Sequence, residues 1–381
     1  MRDKATNDRA VPTEPCSLIA LDMIRGLAAL AVFLDHVRGS GFVAFADLPT
    51  AQQTPIVAVL FALTRLGREA VLIFFVLSGF LVGGQLISRV RQHNFDVRRY
   101  AIDRMTRILV PLVPICLFTA AIDRTVFGEP LSLAQLLGNM IGLNGVLVTT
   151  LANIAPLWSL AFEIWFYVLG GAAAYLVSGK GGWGKIAGLA ALIVGAGVFN
   201  VLGPTMLLFW VLGALSATCL DARGKEMMGA AGLVSLVGGV VLSQLTIGTV
   251  ASAPVMLTPA WAPDLLICGG FCLSLPFLCS EPVNAAVAIF RKPAAGLAAC
   301  SYSLYLAHVP VDTLCQIWLP KAAALSAATV GQFLLRCTAC LSFTLIFFFL
   351  FERNTIALRR FLGSKVLRPR RSGRDRVVSA E

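Results

Sequence analysis

The sequence predicts an all-α, polytopic integral membrane protein: a helical bundle of about ten transmembrane helices with both termini in the cytoplasm. Three observations predict it. First, of 381 residues 57% are hydrophobic and only 13% charged, with a mean hydropathy of +0.81, whereas a soluble domain carries about a quarter charged residues. Second, apolar runs recur at lengths near the roughly 20 residues that cross a bilayer. Runs such as LSFTLIFFFLF lack the alternation of a transmembrane strand. Third, Lys and Arg segregate by side. With the chain starting inside, they gather before residue 18, between Arg89 and Arg107, at Lys180 and Lys185, at Arg223 and Lys225, at Arg291 and Lys292, and from Arg353 onward. That is the positive-inside pattern. Arg38, Arg65, Arg68, Arg124, Lys321 and Arg336 fall outside it or at unassigned depth, and Arg25 lies within the first span. The net charge of +11 therefore reads as topology and contact with anionic lipid, not nucleic acid, and RPRRSGRDR as an orientation signal.

Taken in order, the expected spans are about 18–37, 69–88, 108–124, 156–177, 185–202, 205–220, 229–245, 264–280, 298–318 and 325–351. Residues 1–16 form a cytoplasmic N-terminal tail, 17–352 the membrane domain and 353–381 a basic cytoplasmic C-terminal tail, both tails reading as disordered. The first span is a retained helix, not a cleaved leader, because Asp35, His36 and Arg38 interrupt the apolar stretch before any cleavage site. Two outer segments are re-entrant or surface pieces. PIVAVLFALTRL, within 39–68, is too short to span comfortably, and a spanning 131–151 would invert everything downstream and spoil the charge bias. No internal repeat is visible at helix-pair periods, which weighs against an inverted-repeat transporter. The ten cysteines lie mostly inside spans, where a thiol packs as a small hydrophobe, and no metal site is expected.

The polar residues inside these spans are the candidates for chemistry. Arg25 and His36 are eleven residues apart in LDMIRGLAALAVFLDH, close to three helical turns, so they share a face about 16 Å apart in depth. Ionisable groups in lipid are expensive and mark a site or a pathway by default. Asp22 stands three residues from Arg25, a spacing that allows an ion pair. Asp35 points away from the His36 face. In the second span Ser78, Gly79, Gly83 and Gly84 suit close helix packing. The following loop, RRYAIDRMTRILVP, presents Arg104 and Arg107 on one face; clustered guanidiniums suit phosphates, and topogenic charge explains them equally well. In APLWSLAFEIWFYVL, Ser159, Glu163 and Tyr167 recur every four residues. The Glu163 carboxylate needs a partner in lipid, and His36 is the expected one. In SYSLYLAHVPVDTLC, Ser301, Tyr305, His308 and Asp312 mark one face, as a polar lane or as a set of interhelical hydrogen bonds. Glu352 reads as an interfacial charge at the inner surface.

In their order along the chain these segments resemble the acyltransferase-3 family of membrane acyltransferases, over about residues 18 to 353. Arg25 and His36 match its Arg-x10-His, and FFVLSGFL at 74–81 matches its FFxLSGFL. Arg104, Arg107, Ile108 and Pro111 match its RxxRI-x-P, with one extra residue before the proline. LWSLAFEIWFY at 157–167 and SYSLYLAHVP at 301–310 match two further motifs. The resemblance implies transfer of an acyl group, most often acetyl, from acyl-CoA to a carbohydrate hydroxyl in a surface polysaccharide, a lipopolysaccharide or a lipid-linked sugar. It implies a bacterial inner-membrane protein with donor access from the cytoplasm, and no tightly bound cofactor. Some relatives carry a fused SGNH-type domain; this chain is expected to work without one.

Within that resemblance, His36 is the expected general base, since a neutral imidazole can take a hydroxyl proton. Glu163 is its expected orienting or charge-stabilising partner. Arg25, Arg104 and Arg107 are the expected donor-phosphate ligands, and Ser159, Tyr167, Ser301, Tyr305 and His308 are candidates for lining the lane. The alternative is a transporter or channel using the same buried groups as a proton or solute path. The sequence carries no signal for oligomeric state.

Overall fold

The computed structural model describes residues 18–178, 182–220, 223–246, 259 and 261–366. Most of the two expected tails, 1–17 and 367–381, lies outside the described residues. The described chain is a bundle of helices with no strands. In order they are α1 (Ile19–Gly41), α2 (Pro55–Leu63), α3 (Gly67–Ser78), α4 (Gly84–Arg91), α5 (Val97–Thr125), α6 (Leu133–Met140), α7 (Leu157–Val177), α8 (Trp183–Leu202), α9 (Thr205–Ser216), α10 (Lys225–Thr246), α11 (Trp261–Leu278), α12 (Glu281–Ala286), α13 (Arg291–Cys315), α14 (Ala327–Leu350) and α15 (Thr355–Val366).

Each expected span overlaps helix, with 69–88 covering both α3 and α4. Eight helical stretches among the described residues are long and apolar enough to cross a membrane. α1 stands outside that count, because Asp22, Arg25, Asp35 and Arg38 crowd its 23 residues. α9 stands outside it because its 12 residues reach only about 18 Å at 1.5 Å per residue. α3 and α4 form one passage, joined through a wider π-helical turn at Gly79–Gly83.

That turn is where packing dictates sequence. A Cβ on Gly79 would sit 1.9 Å from the Trp210 carbonyl oxygen, and one on Gly213 would sit 2.2 Å from that of Val76. The backbones of the α3 passage and α9 therefore touch, which no side chain would permit. Trp210 also donates its indole N–H to Ser78, at 3.2 Å. It stacks on Phe166, which stacks in turn on Phe199. Around these rings α3, α5, α7 and α13 share one apolar core, with α1 packed along α13 and α3. α8, α10 and α14 bury the least of their apolar windows and form the rim.

The two outer segments are tied down by side-chain and backbone bonds. The eight residues of α6 cover about 12 Å, far short of a bilayer. The chain then folds back: Asn139 donates to the Thr149 carbonyl and accepts from the Leu151 N–H, and Asn144 donates to the Leu157 carbonyl. Trp165, two turns into α7, donates to the Gly142 carbonyl at 2.9 Å. The 131–151 segment thus folds back on itself against α5 and α7 and does not span. The segment before α2 is tied to the α13–α14 connection, where Val43 and Ala322 share a backbone bond and Gln52 brackets Leu325 from both sides.

One expectation for the C-terminal region needs correcting. Residues 355–366 do not form a disordered tail; they form α15, which packs against α5. The run TIALRRFLGSKV places Ile356, Leu358 and Phe361 among basic residues, a composition that suits a helix lying in the interface.

Candidate active site

Eight of the ten residues singled out in the sequence line one cavity of about 340 Å³: Arg25 from α1, Arg104 and Arg107 from α5, Ser159, Glu163 and Tyr167 from α7, and Ser301 and Tyr305 from α13. The helical spacings explain the convergence. Residues three or four apart stack on one face, so each helix presents one polar stripe, and the three stripes of α5, α7 and α13 meet against α1. Asp103, Phe75, Ser78 and Tyr302 complete the wall, as does Arg359 from α15.

One end of this cavity is cationic. Arg25 pairs with Asp22 at 3.2 Å, as its spacing predicts, and keeps a buried Nε–H without a hydrogen-bond partner among the described residues. Arg107 pairs with Glu352 at 3.4 Å and lies over the Tyr302 ring. Glu352 is not the exposed interfacial charge expected. It is buried, accepting from the Ser303 N–H at 2.8 Å and its hydroxyl at 2.6 Å, which fixes the carboxylate that holds Arg107. Arg104 makes no ion pair among the described residues; its guanidinium lies 5.5 Å over the Tyr167 ring. Its Nε–H is likewise buried and unpartnered. Two buried, unused guanidinium donors in the lining of one cavity suit an anionic ligand.

Farther along, Ser159 and Tyr305 share a 2.5 Å hydrogen bond, and both hydroxyls reach the Pro156 carbonyl. Glu163 accepts from Tyr167. The expected pairing of Glu163 with His36 is not made. Tyr167 sits one turn along the same helix and reaches the carboxylate first, while His36 faces α13.

The two histidines lie beyond Tyr305, outside the lining of the cavity. His36 donates Nδ1–H to its own helix, to the Val32 carbonyl at 2.8 Å. His308 does the same to the Leu304 carbonyl at 2.8 Å. A carbonyl can only accept, so in each neutral ring Nε2 carries the lone pair. The rings lie 5.1 Å apart between centroids, and Tyr305 is 6.3 Å from His308. His308 is fully buried, and its Nε2 has no partner among the described residues.

One further turn along α13, Asp312 pairs with Arg336 of α14 at 3.0 Å and accepts from Ser40 at 2.5 Å. Arg336 is buried, not a loop charge. A lone Arg in LLRCTACLSF was the available signal. The stripe Ser301–Tyr305–His308–Asp312 therefore makes a hydrogen bond at each position, and His308 Nε2 and Asp312 Oδ1 are its buried acceptors without a hydrogen-bond partner among the described residues. No group of three or more His, Cys, Asp or Glu among them could hold a metal ion.

Against known proteins, residues 18–353 match the acyltransferase-3 family, described as an acyltransferase domain. No curated protein and no solved structure matches the chain.

Proposed function

The chain belongs to the acyltransferase-3 family and is a multi-pass membrane acyltransferase; from that premise we propose that it transfers an acyl group, acetyl in the simplest case, from acyl-CoA at the cytoplasmic face of a bacterial inner membrane to a hydroxyl of a surface glycan or lipid-linked sugar. The observation that carries this reading is the polarity of the site. Unused guanidinium donors line one end of the cavity, and two paired imidazoles, each anchored through Nδ1 to its own helix, stand beyond Tyr305 outside it.

In this reading Arg25, Arg104 and Arg107 hold the donor's phosphates, which places its thioester arm toward Ser159 and Tyr305. Glu163 acts through Tyr167, whose ring supports the Arg104 guanidinium. His36 is the base. Its Nδ1–H is anchored on Val32, so Nε2 takes the proton from the acceptor hydroxyl as that oxygen attacks the thioester carbonyl. The carbon–sulfur bond then breaks, and the leaving thiolate takes up a proton as free coenzyme A. The cationic end fits the basic, inward face that the Lys and Arg distribution assigns.

The test is acceptor-dependent release of free coenzyme A by the purified protein in nanodiscs, alongside the ester content of cell-surface glycans. His36→Ala is expected to abolish both while the protein still inserts, a loss of at least 10²-fold for a missing general base. Undiminished acylation by that variant would remove His36 from the mechanism.

A further inference from the structure

The cationic end of the cavity contains a residue that the family match does not reach. The match ends at residue 353, and α15 begins at Thr355. Arg359 of that helix lines the cavity together with Asp103. The two form a loose ion pair, with Nε 3.7 Å from the carboxylate oxygen and the arginine side chain 44% exposed. Asp103 is 16% exposed, and an ion pair this long with one solvated partner contributes little to stability.

Its position suggests another use. Asp103 immediately precedes Arg104 on α5, and α15 follows directly on Glu352, which fixes Arg107. Arg359 thus joins the cations around the same opening, carried by a helix that lies across the end of the bundle. Among the described residues its guanidinium is held there by one carboxylate, which an arriving phosphate would repel and replace. A phosphate dianion can take two parallel N–H bonds from such a group.

We propose that Arg359 is a donor-binding residue that takes the 3′-phosphate at the nucleotide end of acyl-CoA, exchanging Asp103 for it. This rests on the acyl-CoA reading above. The assignment to that phosphate follows from the shape of the donor. Its thioester and its nucleotide are opposite ends of one linear molecule. With the thioester directed past Ser159 toward the histidines, Arg25, Arg104 and Arg107 meet the pyrophosphate. The 3′-phosphate stays at the mouth, where α15 lies.

The experiment measures equilibrium binding of coenzyme A and of 3′-dephospho-coenzyme A to the full-length protein in nanodiscs, for the wild type, Arg359→Ala and Arg359→Lys. The wild type is expected to prefer coenzyme A by about tenfold, the scale of one charge-assisted contact. R359A is expected to lose that preference by weakening coenzyme A alone, and R359K to restore part of it. If R359A keeps the wild-type preference, or weakens both ligands equally, the inference falls while the donor assignment stands. If the wild type binds neither ligand, the donor assignment falls and takes this inference with it. Matching thermal unfolding of the three proteins separates lost binding from lost fold.

Discussion

Asp312 and Arg336 form a fully desolvated ion pair near the end of the bundle opposite the arginines, and its energetics are lopsided. Two buried charges repay their desolvation only when both are present and well bonded. Here the charges are close, with Arg336 Nε 3.0 Å from one Asp312 oxygen and Ser40 donating to the other. The pair rests on charge more than on hydrogen bonding, since Arg336 Nε and Nη2 and Asp312 Oδ1 have no hydrogen-bond partner among the described residues. Asp312→Ala leaves a buried guanidinium with no counter-charge and is expected to cost about 3–5 kcal/mol. The double replacement Asp312→Leu with Arg336→Met removes both charges at similar volume and is expected to recover most of that loss. Thermal unfolding in detergent measures both. Equal destabilisation by the single and double variants would show that packing, not the uncompensated charge, sets the cost. His308 lies one turn away on the same helix, so acylation by the double variant also reports how far the ion pair holds the histidine pair in register.

Among the elements, the contact between the α3 passage and α9 is the least forgiving. It is made backbone to backbone through Gly79 and Gly213, so a single methyl has nowhere to go. Gly79→Ala is expected to lower stability by about 1–3 kcal/mol, the usual cost of overpacking. Gly197 of α8 has nothing within 4 Å of its would-be Cβ, and Gly197→Ala is expected to be neutral or stabilising by up to about 1 kcal/mol through helix propensity. Chemical denaturation of the two variants should rank them in that order; a harmless Gly79→Ala would mean that α9 can move away. Small residues in FFVLSGFL foretold close packing, but the partner helix could not be read from them. Helix identity was legible at the level of apolar run length, which α1 and α13 satisfy despite their polar stripes. The folded-back 131–151 segment is less so. Its apolar content matches a span, and only the internal bonds of Asn139 and Asn144 show the chain turning back. α15 was missed because a short basic amphipathic run has the composition of a tail until it finds α5 to pack on.

At the scale of the whole molecule the stripes matter more than any one residue. Each polar stripe was visible as a three- or four-residue recurrence, so α1, α5, α7 and α13 could be nominated as site helices from sequence. Their mutual rotation could not, which is why Glu163 was assigned to His36 when it belongs with Tyr167 and the arginines. The resulting site has a cationic end and a histidine pair beyond Tyr305, and its direction across the membrane decides where donor and acceptor must approach. The charge bias assigns the face carrying Gln92, at the end of α4, to the cytoplasm. It assigns the face carrying Gln53 and Ser326, tied together by the Gln52–Leu325 bonds, to the outside. All three side chains are exposed, so each can report on its side. In a background with the native cysteines replaced, Gln53→Cys and Ser326→Cys are expected to react with a membrane-impermeant thiol reagent in intact cells. Gln92→Cys is expected to react only after permeabilisation. The reverse pattern would put the arginines on the outer face, away from any cytoplasmic acyl-CoA, and the proposed donor would have no route to its site.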